Sequence, residues 1–308
     1  MIHSRWRIAG VLFALLFSAQ FAAAWGKEGH RVVARIAARN LNQVARAKIA
    51  VILSANDAGL EAAMAAASTW PDQIDKTKTG TEPWHFINAP NTGPFSITGL
   101  CTNHDCVLDR IAEMETRLTT NAKGFMLAAP PSPSRPMTSQ EMAFLIHFVG
   151  DVHQPLHAVS DGDRGGNCVE LINPIAHNDG SKPTTNLHAV WDTDEVLAVQ
   201  NMLGSEDSVV ATLFQRFKTG APVPQLMPAD WAQESNNLAR TDAYQSLHLP
   251  NHTAPPGQCA TGIVKINVGQ AYITGNVADV ETQLMRAGVR LSNVLNQICA
   301  GTGCKAKP

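Results

Sequence analysis

The chain lacks an excess of charge of either sign. Its 24 Lys and Arg nearly balance 26 Asp and Glu, giving a formal net charge of −2. No global basic field draws in nucleic acid or an acidic membrane, so an anionic substrate would need positive charge gathered locally. Strand-like alternation is weak almost everywhere, which excludes a mainly β architecture. No internal repeat is present, which excludes a solenoid. No shift in composition marks a domain boundary, and no cysteine spacing resembles a zinc ribbon.

What is present is an apolar chain with a charged start. Hydrophobic residues make up 44% of 308 positions, enough for a substantial core. Arg5 and Arg7 precede IAGVLFALLFSAQF, and Ala22-Ala23-Ala24 follows. A basic stretch, a short apolar run and an A-x-A site make a secretory leader the expected reading of residues 1–24, with an uncleaved membrane anchor as the alternative. Cleavage would start the mature chain at Trp25, in WGKEGH, and shift the formal charge to about −4. The compact, alanine-rich leader suggests a bacterial route to the periplasm or the medium. Asn251-His-Thr is a glycosylation sequon that would matter only in a eukaryotic secretory route.

Six cysteines in an exported chain point to disulfides. Cys101 and Cys106 are close in sequence, as are Cys299 and Cys304, which would leave Cys168 and Cys259 as a long-range pair. Six cysteines allow 15 connectivities, so this pairing is a preference only.

Apolar residues recur at helical spacing over 28–53, 57–67, 107–120, 139–153, 188–203 and 206–217, and over the later part of 263–298. Gly269 and Gly275 should divide the last segment, whose early part alternates by two at Val264, Ile266 and Val268. VELINPI at 169–175 is the best strand candidate. Stretches 89–99, 129–136 and 161–185 read as loops. The expectation is a mainly α, single-domain, multi-helix fold over 25–308.

Residues 147–157 read HFVGDVHQPLH, with three histidines and an aspartate in an apolar stretch. Burying such groups without partners is costly. His147 and Asp151 are four apart and share a helix face, and His188 and Asp192 repeat the spacing in NLHAVWD. One such pair could be a surface hydrogen bond, but two suggest metal ligands. Asp72 in TWPDQ, His85 in PWHFIN and His30 are further candidates. His157 follows Pro155, which should disturb the helix and turn this side chain towards a second centre. His153 fits neither register and reads as a structural histidine. His104, His177, His248 and His252 lie in loop-like or solvent-facing contexts and receive no role.

WGKEGH, WPDQ, WHFIN, HFVGDVHQPLH and NLHAVWD, in this order, resemble the S1/P1 nuclease family of zinc enzymes. The resemblance spans Trp25 to Asp192; the C-terminal segment carries no diagnostic motif. It implies the fold of zinc phospholipase C and P1 nuclease and three zinc ions. The first would be held by Asp72, His85, His147 and Asp151. The second would be held by His157, His188 and Asp192, with coordination positions left open, as a catalytic zinc requires. The third would be held by His30, by Asp151 as a bridge, and by the α-amine and carbonyl oxygen of Trp25.

The implied chemistry supplies the missing positive charge. Three divalent ions outweigh the carboxylates of Asp72, Asp151 and Asp192. A zinc-held hydroxide would attack phosphorus in line, with another zinc stabilising the 3′ leaving oxygen. Asp72 would also orient the attacking water. The resemblance implies cleavage of single-stranded DNA and RNA to 5′-phosphorylated products, 3′-nucleotidase activity, and a monomer without a stable membrane anchor. Phe86 matches a base-stacking position, with plain core packing as its alternative. Many relatives carry arginine three residues after the first zinc aspartate. Asp75 stands there in this chain, and Lys76 or Lys78 could substitute without offering a planar fork.

Two other readings compete. A zinc-dependent phospholipase C resembles the same fold, but there H-x3-E replaces the H-x3-D of His188/Asp192, and the first histidine lies further from the tryptophan. A non-catalytic exported zinc-binding protein would need high-affinity sites with no open position.

Overall fold

The computed structural model describes residues 25–123, 127, 136–255 and 257–306. The expected leader, residues 1–24, lies outside the described residues, as does nearly all of the expected loop at 129–136. The described residues are 58% helix and 4% strand, the mainly α fold expected.

Among the described residues, twelve α-helical segments follow one another: α1 (Lys27–Arg39), α2 (Gln43–Ile52), α3 (Leu60–Gln73), α4 (Lys76–Thr79), α5 (Val107–Thr120), α6 (Met137–Asp151), α7 (Leu187–Ala189), α8 (Glu195–Leu203), α9 (Glu206–Thr219), α10 (Pro228–Leu238), α11 (Gln270–Gly275) and α12 (Val277–Ile298). The segment 28–53 divides because Asn42 caps α2, its side chain accepting from the Ala45 amide at 2.9 Å. Gly269 and Gly275 divide the C-terminal segment as expected, bounding α11.

Helix α6 is buried all round from Glu141 to Asp151. An apolar helix of that kind belongs at the centre of a core. It packs on α3 and α5, and α1 packs on α3 and α12. The core around them includes Val33, Ile36, Phe144, Phe148, Leu284 and Leu291. Strand β1 (Glu170–Ile175) pairs antiparallel with β2 (Thr184–Asn186), so VELINPI is a hairpin arm. Ile266 joins it through a bridge to Leu171, which accounts for the alternation by two around Val264–Val268. Helix α10 has no counterpart among the periodic segments of the sequence.

The disulfides are Cys101–Cys106, Cys168–Cys259 and Cys299–Cys304, the preferred pairing. The middle one spans 91 residues and ties the loop before β1 to the C-terminal third. Among the described residues, no helix is long and apolar enough to cross a membrane.

Candidate metal centre

The candidate ligands converge because the ends of buried elements meet. Helix α1 brings His30, the last turn of α3 brings Asp72, and a 3-10 turn at Glu82–His85 brings His85. Helix α6 ends on His147 and Asp151, one turn apart. A second 3-10 turn, Pro155–Ala158, carries His157. Pro155 starts this turn and does not extend α6, as the sequence suggested. His188 lies on α7, and Asp192 on a π-helical segment, Val190–Asp194. Insertions of this kind into helices often mark functional sites.

Three groups of side chains each bring one donor atom apiece within 4.8 Å of one another: His30, His147 and Asp151; Asp72, His85 and His147; and His157, His188 and Asp192. All are buried except Asp72, which is partly exposed. Asp151 belongs to two of these environments. Its Oδ1 lies 3.2 Å from His30 Nε2, while its Oδ2 lies 2.9 Å from His85 Nδ1 and 3.2 Å from His147 Nε2. Asp72 also lies between them, with Oδ1 3.4 Å from His147 Nε2 and Oδ2 3.9 Å from His30 Nε2.

The imidazoles are oriented from behind. His147 Nδ1 donates to the Ser68 carbonyl at 2.7 Å, His157 Nδ1 to the His85 carbonyl at 2.7 Å, and His188 Nδ1 to the Gly165 carbonyl at 2.6 Å. Each bond holds a proton on Nδ1 and turns Nε2, the atom that would bind a metal ion, inward. His157 Nε2 and His188 Nε2 then face each other at 3.1 Å. Two lone pairs at that distance repel unless a cation lies between them. His30 Nε2 and Asp151 Oδ1 face each other in the buried interior and neither makes a well-aligned hydrogen bond. Buried polar atoms are seldom left so. The donor set, imidazole nitrogens and carboxylate oxygens, suits zinc. The residues therefore fit a group of divalent metal ions.

Electrostatics point the same way. Burial keeps His85 and His157 neutral, lowered to about 4, and His188 to about 3. Neutral imidazole is the ligand form. Burial also opposes a charge on His147, but Asp151 and Asp72 outweigh it and push that ring up to about 10. The two carboxylates, Asp151 buried and Asp72 nearly so, thus demand positive charge between them. Burial raises Asp192, opposed by a hydrogen bond from Gln154.

Two glycines make room. A Cβ on Gly150 would lie 2.8 Å from His30 Nδ1, so only glycine lets His30 lie against α6. Gly165 has φ +61°, and a Cβ there would lie 2.4 Å from the Leu156 carbonyl oxygen. That turn aims the carbonyl that holds His188.

The profile of the S1/P1 Nuclease family matches residues 25–300. This chain belongs to the S1/P1 nuclease family. Endonuclease 2 of Arabidopsis thaliana is 29% identical over 302 residues, covering 92% of this chain and 93% of the plant protein. Nuclease S1 of Aspergillus oryzae is 30% identical over 218 residues, 70% of each chain. Nuclease P1 of Penicillium citrinum is 25% identical over 299 residues, 89% of this chain and 97% of the fungal one. As an S1/P1 nuclease the protein is a hydrolase of the endonuclease class, and its substrates are nucleic acids.

Some residues of this S1/P1 nuclease escaped the sequence reading. Lys76 is more than a stand-in for arginine. It is buried, with Nζ 2.6 Å from Asp72 Oδ1, whereas Lys78 is exposed and pairs with Asp75 at 3.1 Å. Its spacing of four from Asp72 was the available signal. Gln154 lies inside HFVGDVHQPLH and binds Asp192. His153 is structural in its contacts, accepting from Arg290 at 3.0 Å. His177 is half-buried in a loop, 3.1 Å from the Thr184 hydroxyl. Phe86 is half-buried between His85 and Ile87. Trp25 is fully buried at the start of α1.

Proposed function

We propose that this S1/P1 nuclease is an exported, zinc-dependent phosphodiesterase that cleaves single-stranded DNA and RNA to 5′-phosphorylated products and also removes 3′-phosphates from nucleotides. The observation that carries the reading is the split of Asp151, one oxygen towards His30 and the other towards His85 and His147. A carboxylate arranged so can serve two ions at once. Asp72, His85, His147 and Asp151 would hold one zinc, His157, His188 and Asp192 a second, and His30, Asp151 and Trp25 a third.

Zinc bound there would supply positive charge for the phosphodiester and acidify a water towards a pKa of ~7. The protein's part is placement. Asp72 bridges two ligand groups and would orient the attacking water through the carboxylate oxygen facing His30. Lys76 steadies the other oxygen. Phe86, half-buried beside His85, would stack a base next to the scissile phosphate. A base reaches such a position only when unstacked and unpaired, so single strands should react faster than duplex.

Export is supported by the three disulfides and by the start of the family match at Trp25, where the leader would be cut. The family match also speaks for a nuclease over a phospholipase C. Release of acid-soluble nucleotides from single-stranded DNA, against duplex DNA and phosphatidylcholine, tests the proposal. Cleavage of phosphatidylcholine without nuclease activity would refute it.

A further inference from the structure

Gln154 is fully buried between the end of α6 and the turn that carries His157. Both ends of its side-chain amide are used. Its Oε1 accepts from the Leu156 amide inside that turn, and its Nε2 donates to Asp192 Oδ1 at 2.6 Å. Its main chain adds a third bond, the Gln154 carbonyl accepting from the His157 amide at 3.0 Å. One residue thus grips two segments that lie 38 positions apart in sequence and supply the three side chains of one ligand group.

The bond to Asp192 also decides how that carboxylate is presented. With Oδ1 engaged by the amide, Oδ2 is the oxygen turned towards His188 Nε2, 3.5 Å away. A carboxylate without such a partner could rotate and offer either oxygen. The neighbouring imidazoles of His157 and His188 are already held by backbone carbonyls. Asp192 is the member of the group held by a side chain.

We propose that Gln154 is a positioning residue that sets the His157/His188/Asp192 group for its metal ion, a role that rests on the metal reading of that group. The amide ties the orientation of Asp192 to the turn bearing His157, so that the three donors converge before an ion arrives. Partners of this kind are worth about 10–100-fold in metal affinity.

The test measures zinc binding to the metal-free protein by competition with a chromophoric chelator, counting ions per chain, for wild type, Gln154→Met, Gln154→Asn and His188→Ala. Unfolding of each metal-free protein is followed in parallel. The methionine variant keeps the length and loses both hydrogen bonds; the asparagine variant keeps a polar amide that no longer reaches Asp192. The expected result is about 10–100-fold weaker binding of one ion, the same ion that His188→Ala eliminates, with the other ions unchanged. Unchanged affinity for every ion, even with a lower unfolding midpoint, would make Gln154 a fold residue only and overturn the proposal. Failure of both Gln154 variants to fold without metal would overturn it equally. Should His188→Ala lose no ion, the metal reading of the group itself fails, a result distinct from either.

Discussion

The Gly26 amide donates to the main-chain carbonyl of Asp192 at 2.6 Å. This bond anchors the start of α1 against the π-helical segment that carries a candidate ligand. The residue just before it, Trp25, is therefore fixed close to Asp192 although a long stretch of chain separates the two.

An α-amino group binds metal only when free and unprotonated. Protein carrying an extra residue before Trp25 should hold one zinc fewer per chain than correctly processed protein and lose most of its cleavage of single-stranded DNA. Elemental analysis and a nucleotide-release assay of the two forms check this. Equal zinc content and equal rate would remove Trp25 from the ligand set.

Asp151→Asn should cost more than loss of a ligand to one ion, because one carboxylate faces two groups. Zinc bound with His30 and zinc bound with His85 and His147 should both weaken, and nuclease activity should fall by more than about 100-fold, beyond the usual effect of an indirect partner. Isothermal titration of zinc into the metal-free variant separates the two sites.

Gly150→Ala places a methyl where His30 Nδ1 lies 2.8 Å away. The ring must shift or α6 must move, at a cost of about 1–3 kcal/mol. We expect a lower denaturant midpoint and weaker zinc binding at the His30 group, with the His157/His188 group unaffected. A variant as stable and as metal-replete as wild type would show that His30 is not seated against α6.

The metal-free protein should be most stable near pH 6.5. His85, His153, His157 and His188 are lowered by burial, and His30 likewise, so unfolding takes up protons as pH falls below about 6.5 and stability drops. Above that pH the signs reverse. His147, held up to about 10 against its burial by Asp151 and Asp72, releases its proton on unfolding. So does Glu195, pushed up to about 8 by burial, whose release already begins near pH 4.5 and there offsets part of the uptake by the five histidines. Stability therefore falls as pH rises from about 6.5 to about 10. Thermal unfolding of chelated protein from pH 5 to 9 checks this, and a steady rise across the range would contradict it.

Much of the candidate site was legible because its candidate ligands come in local pairs. The spacing of four in His147/Asp151 and His188/Asp192 survives in the fold, even though a π-helical segment carries Asp192. Pro155 correctly signalled the break that turns His157 aside. The alternation around Ile266 was visible, but its partner Leu171 was not, because a bridge between distant segments leaves no local mark. Helix α10 was missed for a different reason. It is only 11 residues long and runs into a π-helical stretch, Ala239–Gln245, so its apolar positions keep no single period. Gln154 stood in view inside the motif, but its bond to Asp192 depends on two chain segments meeting.

The most direct measurement is the nuclease rate on single-stranded DNA, with zinc counted per chain, before chelation, after exhaustive chelation and after zinc is returned. The account predicts about three zinc ions, loss of activity as they leave and recovery as they return. A protein that still cleaves single-stranded DNA at full rate with no metal ion bound would contradict it.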